Sequence, residues 1–168
     1  MIFGAWSSEM NAPSQFRDTR STIKALYVYT FATLIDWPSE YKKGNFLIGV
    51  YGGNDGVYNE LKTKYSGKAI GSQEIEIVKY DSKSDISKPN ILYISSDRDG
   101  QLTSLSSEFK SKSTLMVAEK DGSLVKGADI NFVLDGSKQT YEVSVKNTKK
   151  HNLIVASKLT SLAHKVIE

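Results

Sequence analysis

The chain has 168 residues, of which 39% are hydrophobic and 24% charged, and its net charge is +3. This length suits one domain with one core, and no apolar run approaches the ~20 residues of a membrane-spanning helix. The basic residues are nearly all Lys, so forked guanidinium contacts to phosphate are scarce and nucleic-acid binding is not expected. The absence of Cys excludes disulfides, thiol catalysis and Cys-based metal sites.

The first 20 residues are predicted to lie outside the folded core. They are polar after residue 6 and lack the charged start and long apolar stretch of a complete signal peptide. Two interpretations stand, a signal-peptide remnant and an irregular N-terminal arm. Residues 21–168 are predicted to form a single α/β domain.

An amphipathic helix is predicted to begin at Ile23 and to end before Pro38. Its apolar residues recur with the 3.6-residue period of a helix that buries one face, and Pro38 excludes Trp37 from helical geometry. This helix is expected to cover one face of a sheet. The predicted buried stripe is Ile23, Leu26, Tyr27, Thr30, Phe31, Leu34 and Ile35.

Strands and helices then alternate along the chain. Continuous apolar or alternating runs predict four strands, and apolar residues at helical spacing predict two helices between them. Asn54 or Asp55 can cap the first of these helices, and Asp97 or Asp99 the second. The predicted strands are residues 46–52, 73–80, 90–96 and 113–119, and the predicted helices are residues 56–65 and 100–110.

The C-terminal part changes pattern. Residues 128–145 form two alternating runs around Asp135-Gly136, which predicts a β-hairpin, and two helices are predicted at residues 147–151 and 157–167. Repeated βαβ units place helices on both faces of a sheet. The predicted fold class is α/β, a three-layer α/β sandwich with a mixed, mostly parallel sheet of about six strands that ends in an antiparallel hairpin.

A crevice at the carboxyl ends of the parallel strands is the predicted place for a small ligand. The residues expected to gather there are Gly52, Gly53, Asn54, Ser95 and Ser96. The glycines do not meet the G-x-G-x-x-G pattern, and no P-loop lysine follows them. A tight strand-to-helix turn is therefore favoured over a phosphate-binding turn.

Catalytic and metal-binding patterns are missing from the sequence. His151 and His164 lie in no metal-ligand spacing, and no G-x-S-x-G hydrolase motif occurs. Residues 95–106 resemble part of a calcium loop but have too few carboxylates. The cluster Lys146, Lys149, Lys150 and His151 is interpreted as a solvated helix face rather than an anion site. No catalytic residue, metal or cofactor is therefore predicted.

Several motifs occur in a characteristic order. The helix that ends in Trp37-Pro38 is followed by Gly67-Lys68 and by a strand that ends in Ser95. The C-terminal third adds the most specific matches: Gly127, Ile130, Phe132, Tyr141, Glu142, Val143, Leu153, Val155, Ser157, Leu159, Leu162 and Ala163. From about Ile23 to its end, the chain thus resembles the YfiR/HmsC family of bacterial periplasmic proteins. It departs from the family pattern at Ala128, Asn152 and Ala156.

The resemblance implies a soluble, exported periplasmic regulator that is not an enzyme. Such a protein binds the periplasmic part of an inner-membrane diguanylate cyclase and represses it, which limits cyclic-di-GMP signalling and biofilm formation. Members of the family use disulfides for stability and redox sensing, and this chain has no Cys with which to do so.

Protein contact is therefore the first functional hypothesis, and a homodimer is expected. Trp37 and Tyr41 are candidate partner contacts, because aromatic residues at a helix exit can anchor an interface, although core packing is the alternative for Trp37. The second hypothesis is a small-ligand-binding α/β domain that uses the crevice at the strand ends.

Overall fold

The computed structural model describes residues 12–168, with side chains from residue 19 onward. This part of the chain contains five helices, α1 (Ala12–Leu34), α2 (Asp55–Tyr65), α3 (Leu102–Phe109), α4 (Val145–Lys150) and α5 (Ser157–Ser161). Its ten strands are β1 (Ile35–Asp36), β2 (Phe46–Tyr51), β3 (Ala69–Ile70), β4 (Gln73–Tyr80), β5 (Ile91–Ile94), β6 (Leu115–Ala118), β7 (Ile130–Asp135), β8 (Lys138–Ser144), β9 (Ile154–Val155) and β10 (Lys165–Ile167). Of the predicted N-terminal arm, residues 1–11 lie outside the described residues, and residues 12–20 form the first part of α1.

Eight of these strands form the central sheet, in the order β10-β8-β7-β6-β5-β2-β4-β3. Within this sheet the β7–β8 and β3–β4 pairs are antiparallel and the other neighbours are parallel. The strands β1 and β9 form a separate antiparallel pair. The predicted mixed, mostly parallel sheet is confirmed. It has more strands than expected because β3 and β10, of two and three residues, are too short to show a periodicity.

Helices α1, α2 and α5 cover one face of the sheet, where the larger hydrophobic core lies. Phe31 of α1 packs edge-on against Tyr141 of β8, with ring centroids 4.9 Å apart. On the other side of α1, Tyr29 stacks on Tyr65 of α2 at 4.7 Å. Aromatic contacts of this kind add to the stabilisation from apolar burial, so they hold α1 to both the sheet and its neighbouring helix.

The opposite face carries a smaller core beneath α3 and the segment 119–129. Leu102, Leu105 and Phe109 of α3 are buried against sheet residues such as Leu92 and Met116. Because the sheet is covered on both faces, β5 and β6 are buried along their whole length and read as continuous apolar runs. The predicted three-layer α/β architecture is confirmed.

The predicted buried stripe of α1 is partly wrong. Leu26 is 53% exposed, and the fully buried residues of the helix include the small side chains Ala25 and Ala32. Small residues let a helix lie close to the elements beneath it, so the buried face includes them together with Val28 and Phe31. The helix ends at Leu34, and Trp37 is non-helical before Pro38, as predicted.

Two predictions for the helix boundaries in the second half of the chain are also wrong. The predicted helix at residues 157–167 stops at Ser161, because Val166 lies in β10 opposite Val143 of β8. Neither Asp97 nor Asp99 caps α3, which follows a 3₁₀ turn from Ser96 to Gln101 and has no side-chain cap. These carboxylates are instead bonded to other parts of the chain.

Gly49→Ala tests the close contact between β2 and the Tyr80 ring. A Cβ atom at residue 49 would lie 2.3 Å from a ring carbon of Tyr80, and the hydroxyl of that ring is bonded to Ser87. We expect the free energy of unfolding in urea to fall by about 1–3 kcal/mol. The matched control is Gly100→Ala, whose new Cβ meets no atom within 4 Å. Equal losses in the two variants would contradict this packing.

Candidate functional site

The carboxyl ends of β2, β5 and β6 bring the predicted crevice residues together. The backbone N–H of Asn54 donates to Ser95 Oγ at 3.1 Å, and the N–H of Gly53 donates to Asp97 Oδ1 at 2.9 Å. Gly52 has a φ of +111°, and a Cβ there would lie 2.8 Å from atoms of Ser95 and Asp97. The two turns therefore pack directly on each other, and a side chain at residue 52 would separate them.

Asn54 links this crevice to the start of α2. Its Oδ1 accepts the N–H of Val57 at 3.1 Å, which is the predicted N-cap interaction. Its Nδ2 donates to Glu119 Oε2 at 2.9 Å. One side chain thus fixes both the helix start and the position of a carboxylate that follows β6.

Glu119 is the centre of the crevice. Its carboxylate accepts hydrogen bonds from Lys24 Nζ at 3.0 Å, Asn54 Nδ2 at 2.9 Å, the Ser96 N–H at 2.9 Å and the Tyr93 hydroxyl. The Glu119 side chain is 6% exposed, and that of Lys24 is 17% exposed. A nearly buried carboxylate is thereby surrounded by donors from four segments of the chain.

The charge state of Glu119 follows from these contacts. Burial by itself raises the pKa of a carboxyl group, but the Lys24 charge and the hydrogen bonds from Tyr93 and Ser96 outweigh it, so the pKa of Glu119 is lowered from its ordinary 4.5. The same surroundings raise the pKa of the Tyr93 hydroxyl well above its ordinary value, through burial first and the Glu119 charge second. At neutral pH the pair is an ionised carboxylate and a neutral phenol.

The part of the crevice around Ser95, Ser96 and Glu119 is consequently filled by the protein itself. Between the described residues around Ser95, Ser96 and Glu119 there is no cavity large enough for a water molecule. The acceptor atoms of Glu119 are engaged with donors of the chain, so a ligand would have to displace Lys24 or Asn54 to reach them. Small-ligand binding at Gly52, Gly53, Asn54, Ser95 and Ser96 stays a prediction.

The sequence-based prediction missed both Glu119 and Lys24. Glu119 directly follows a buried strand that is parallel to β5, and this position is the available signal for a side chain at the crevice. Lys24 carries no such signal, because it lies in α1, far from the crevice in the sequence.

Among the residues whose side chains are described, no group of three His, Asp or Glu is placed to hold a metal ion.

Trp37, a predicted partner contact, lies two residues before the 3₁₀ turn Ser39–Tyr41, and Tyr41, the other predicted contact, is the last residue of that turn. Trp37 is 4% exposed and packs edge-on against Phe46, with ring centroids 5.0 Å apart. The Tyr41 hydroxyl accepts the N–H of Ser113 at 3.0 Å. The two residues line separate grooves, of about 460 Å³ for Trp37 and about 800 Å³ for Tyr41.

The fold and this closed crevice define the class of protein, a three-layer α/β domain whose polar groups at the strand ends are bonded to one another. The family model described as YfiR/HmsC-like matches residues 21–164, and the chain belongs to that family. A comparison with curated proteins found no match. Within the described residues, no helix has the length and apolar character needed to cross a membrane.

Glu119→Gln tests the central role of this carboxylate. Gln cannot offer Lys24 a charge or accept all four hydrogen bonds, so we expect a loss of about 1–3 kcal/mol in unfolding free energy at pH 7. The folded-state pKa of Glu119 is below its unfolded value of about 4.5, so its contribution is present above pH 4.5 and is lost as the pH falls through the folded pKa. The variant should therefore show a flatter decline of stability below pH 4.5, measured by urea denaturation across pH.

The matched control is Glu108→Gln, which removes an exposed carboxylate bonded to Lys83 at 2.8 Å. An exposed pair of this type contributes about 0–1 kcal/mol. If Glu119→Gln behaved like this control at every pH, Glu119 would not be the group that holds the crevice together.

Proposed function

We propose that the protein is an exported, periplasmic regulator without catalytic activity, which binds the periplasmic part of an inner-membrane diguanylate cyclase and represses it. Membership of the YfiR/HmsC-like family supports this proposal. Through that contact the protein would limit cyclic-di-GMP signalling and biofilm formation. The homodimer stays a prediction, and sedimentation of the purified protein measures it.

The closed crevice is the observation that carries the proposal. In open α/β sheets, substrates and cofactors bind outside the carboxyl ends of the strands, and here Glu119, Tyr93 and Lys24 occupy that place. The groups are paired in a way that stabilises the fold and leaves the carboxylate ionised. A protein whose usual ligand position is filled in this way is suited to act through its outer surface.

We place the partner contact at the groove lined by Trp37. Its walls are mainly apolar and come from the end of α1, from Phe46 and from the edge strand β3. The indole Nε1 of Trp37 is buried and has no hydrogen-bond partner among the described residues. Tryptophan is a frequent anchor of protein interfaces, and Tyr41 is the last residue of the adjoining 3₁₀ turn.

Ala69→Arg tests this surface. Ala69 is an exposed residue of β3 that lines the groove, so an arginine there blocks the groove without disturbing the core. We expect that the exported wild-type chain, co-produced with a membrane diguanylate cyclase of its own genome, lowers cellular cyclic-di-GMP, and that Ala69→Arg removes this effect. Cyclic-di-GMP is measured in cell extracts, and binding is measured by co-purification.

The matched control is Leu134→Arg, which places the same charge on an exposed apolar residue of β7. The strands β7 and β3 are five strand positions apart in the sheet, about 24 Å at 4.8 Å per strand. The control should repress like the wild type. Fractionation of the native protein to the cytosol would contradict the periplasmic location. Repression by Ala69→Arg at the wild-type level would contradict the location of the contact.

A further inference from the structure

A further cavity, with basic rather than acidic lining residues, lies between α3, α4 and the loop that precedes β7. Its volume is about 730 Å³, within the range of small-molecule sites. No carboxylate is among the side chains that line it. The lining residues that bear on ligand binding are Thr103, Ser106, Ser107, Lys110, Lys150 and His151.

The charged side chains of this cavity are cationic. Lys110 and Lys150 have no ion-pair partner among the residues whose side chains are described, whereas Lys126 is bonded to the buried Asp99. Two ammonium groups, one just after α3 and one at the end of α4, are therefore uncompensated. Like charges that share a cavity attract a counter-ion of opposite sign.

Hydroxyl groups line the α3 side of the cavity. Thr103, Ser106 and Ser107 are at helical spacings of three and four residues, which places them on one face of α3. None of these hydroxyls is hydrogen-bonded to another residue in the described part of the chain, so each is available to donate to a ligand oxygen. Lysines and hydroxyls together are donors suited to a tetrahedral oxyanion.

His151, which was predicted to lie on a solvated helix face, is 3% exposed and borders the cavity just after α4. Its orientation is fixed by a buried carboxylate. Its Nδ1 lies 2.8 Å from Oδ1 of the fully buried Asp129, whose Oδ2 also accepts the N–H of Met116 at 2.7 Å. The carboxylate holds the proton on Nδ1. With the proton on Nδ1, Nε2 is an acceptor, and it has no partner within the described residues.

The cavity walls are also held in place independently of any ligand. The Asn147 side chain donates to the carbonyls of Leu124 and Ala128 at 3.1 and 2.8 Å, which ties the loop to α4. Gly127 has a φ of +112°, and a Cβ there would lie 2.0 Å from Ser106 Oγ. The loop is thus seated directly on α3, and the cavity is largely formed before anything binds.

We propose that this cavity binds the phosphate group of a small solute, either free phosphate or a phosphate monoester. Lys110 and Lys150 supply the charge, and the α3 hydroxyls supply further donors. The site is separate from the proposed cyclase contact, because α3 covers the face of the sheet opposite to α1. This binding goes beyond repression of a cyclase and would make the protein responsive to a phosphorylated solute.

Isothermal titration of the purified protein with inorganic phosphate and with glycerol 3-phosphate tests the proposal. Potassium chloride at matched ionic strength provides the background. We expect saturable binding of at least one of the two, weakened by about tenfold or more in Lys110→Met and in Lys150→Met. The stronger of the two ligands identifies whether the source is the free ion or a monoester.

The matched control is Lys138→Met, which removes the same charge from an exposed residue at the start of β8. It should bind phosphate like the wild type. Because all three lysines are surface residues, their thermal midpoints should stay close to that of the wild type, so that lost binding does not reflect lost folding. Equal weakening in the control, or no saturable binding of either ligand to the wild type, would overturn the proposal.

Discussion

The hydrogen bonding of one nearly buried carboxylate, Glu119, connects the layers of this protein. A buried carboxylate is costly unless it is paired and fully hydrogen-bonded, and Lys24, Asn54, Tyr93 and Ser96 meet that requirement. These groups come from α1, the start of α2, β5 and the turn after β5. The covering helices are therefore tied to the strand ends by polar bonds as well as by apolar packing.

Much of the fold could be predicted from the sequence, because the long elements carry strong patterns. Continuous apolar runs predicted β2, β5 and β6, and Asp135-Gly136 predicted the hairpin. β10 could not be predicted, since three residues show no period and the preceding Leu159 and Leu162 also fit a helix. Ala25 and Ala32 were missed as part of the buried face of α1, because a count of bulky apolar residues does not register small side chains.

The proximity of the crevice residues could be predicted from the sequence, but the ion pair that fills the crevice could not. Parallel strands necessarily bring their carboxyl ends to one edge, so Asn54 and Ser95 were expected to be neighbours, and they are hydrogen-bonded. The ion pair that fills the space joins residues 24 and 119, and no local pattern links positions so distant in the chain. The closed crevice and the open, basic cavity beside His151 can therefore be seen only in the three-dimensional structure. The crevice stabilises the fold, whereas the cavity is the proposed phosphate site.

A double-mutant cycle on Lys24 and Glu119 tests most directly whether this ion pair holds the crevice closed. The unfolding free energies of the wild type, Lys24→Met, Glu119→Gln and the double variant are measured at pH 7. We expect a coupling energy of about 1 kcal/mol or more, because the pair is nearly buried and part of a network. A coupling energy close to zero would show that the two charges do not stabilise each other, and it would contradict the account of a crevice closed by Glu119.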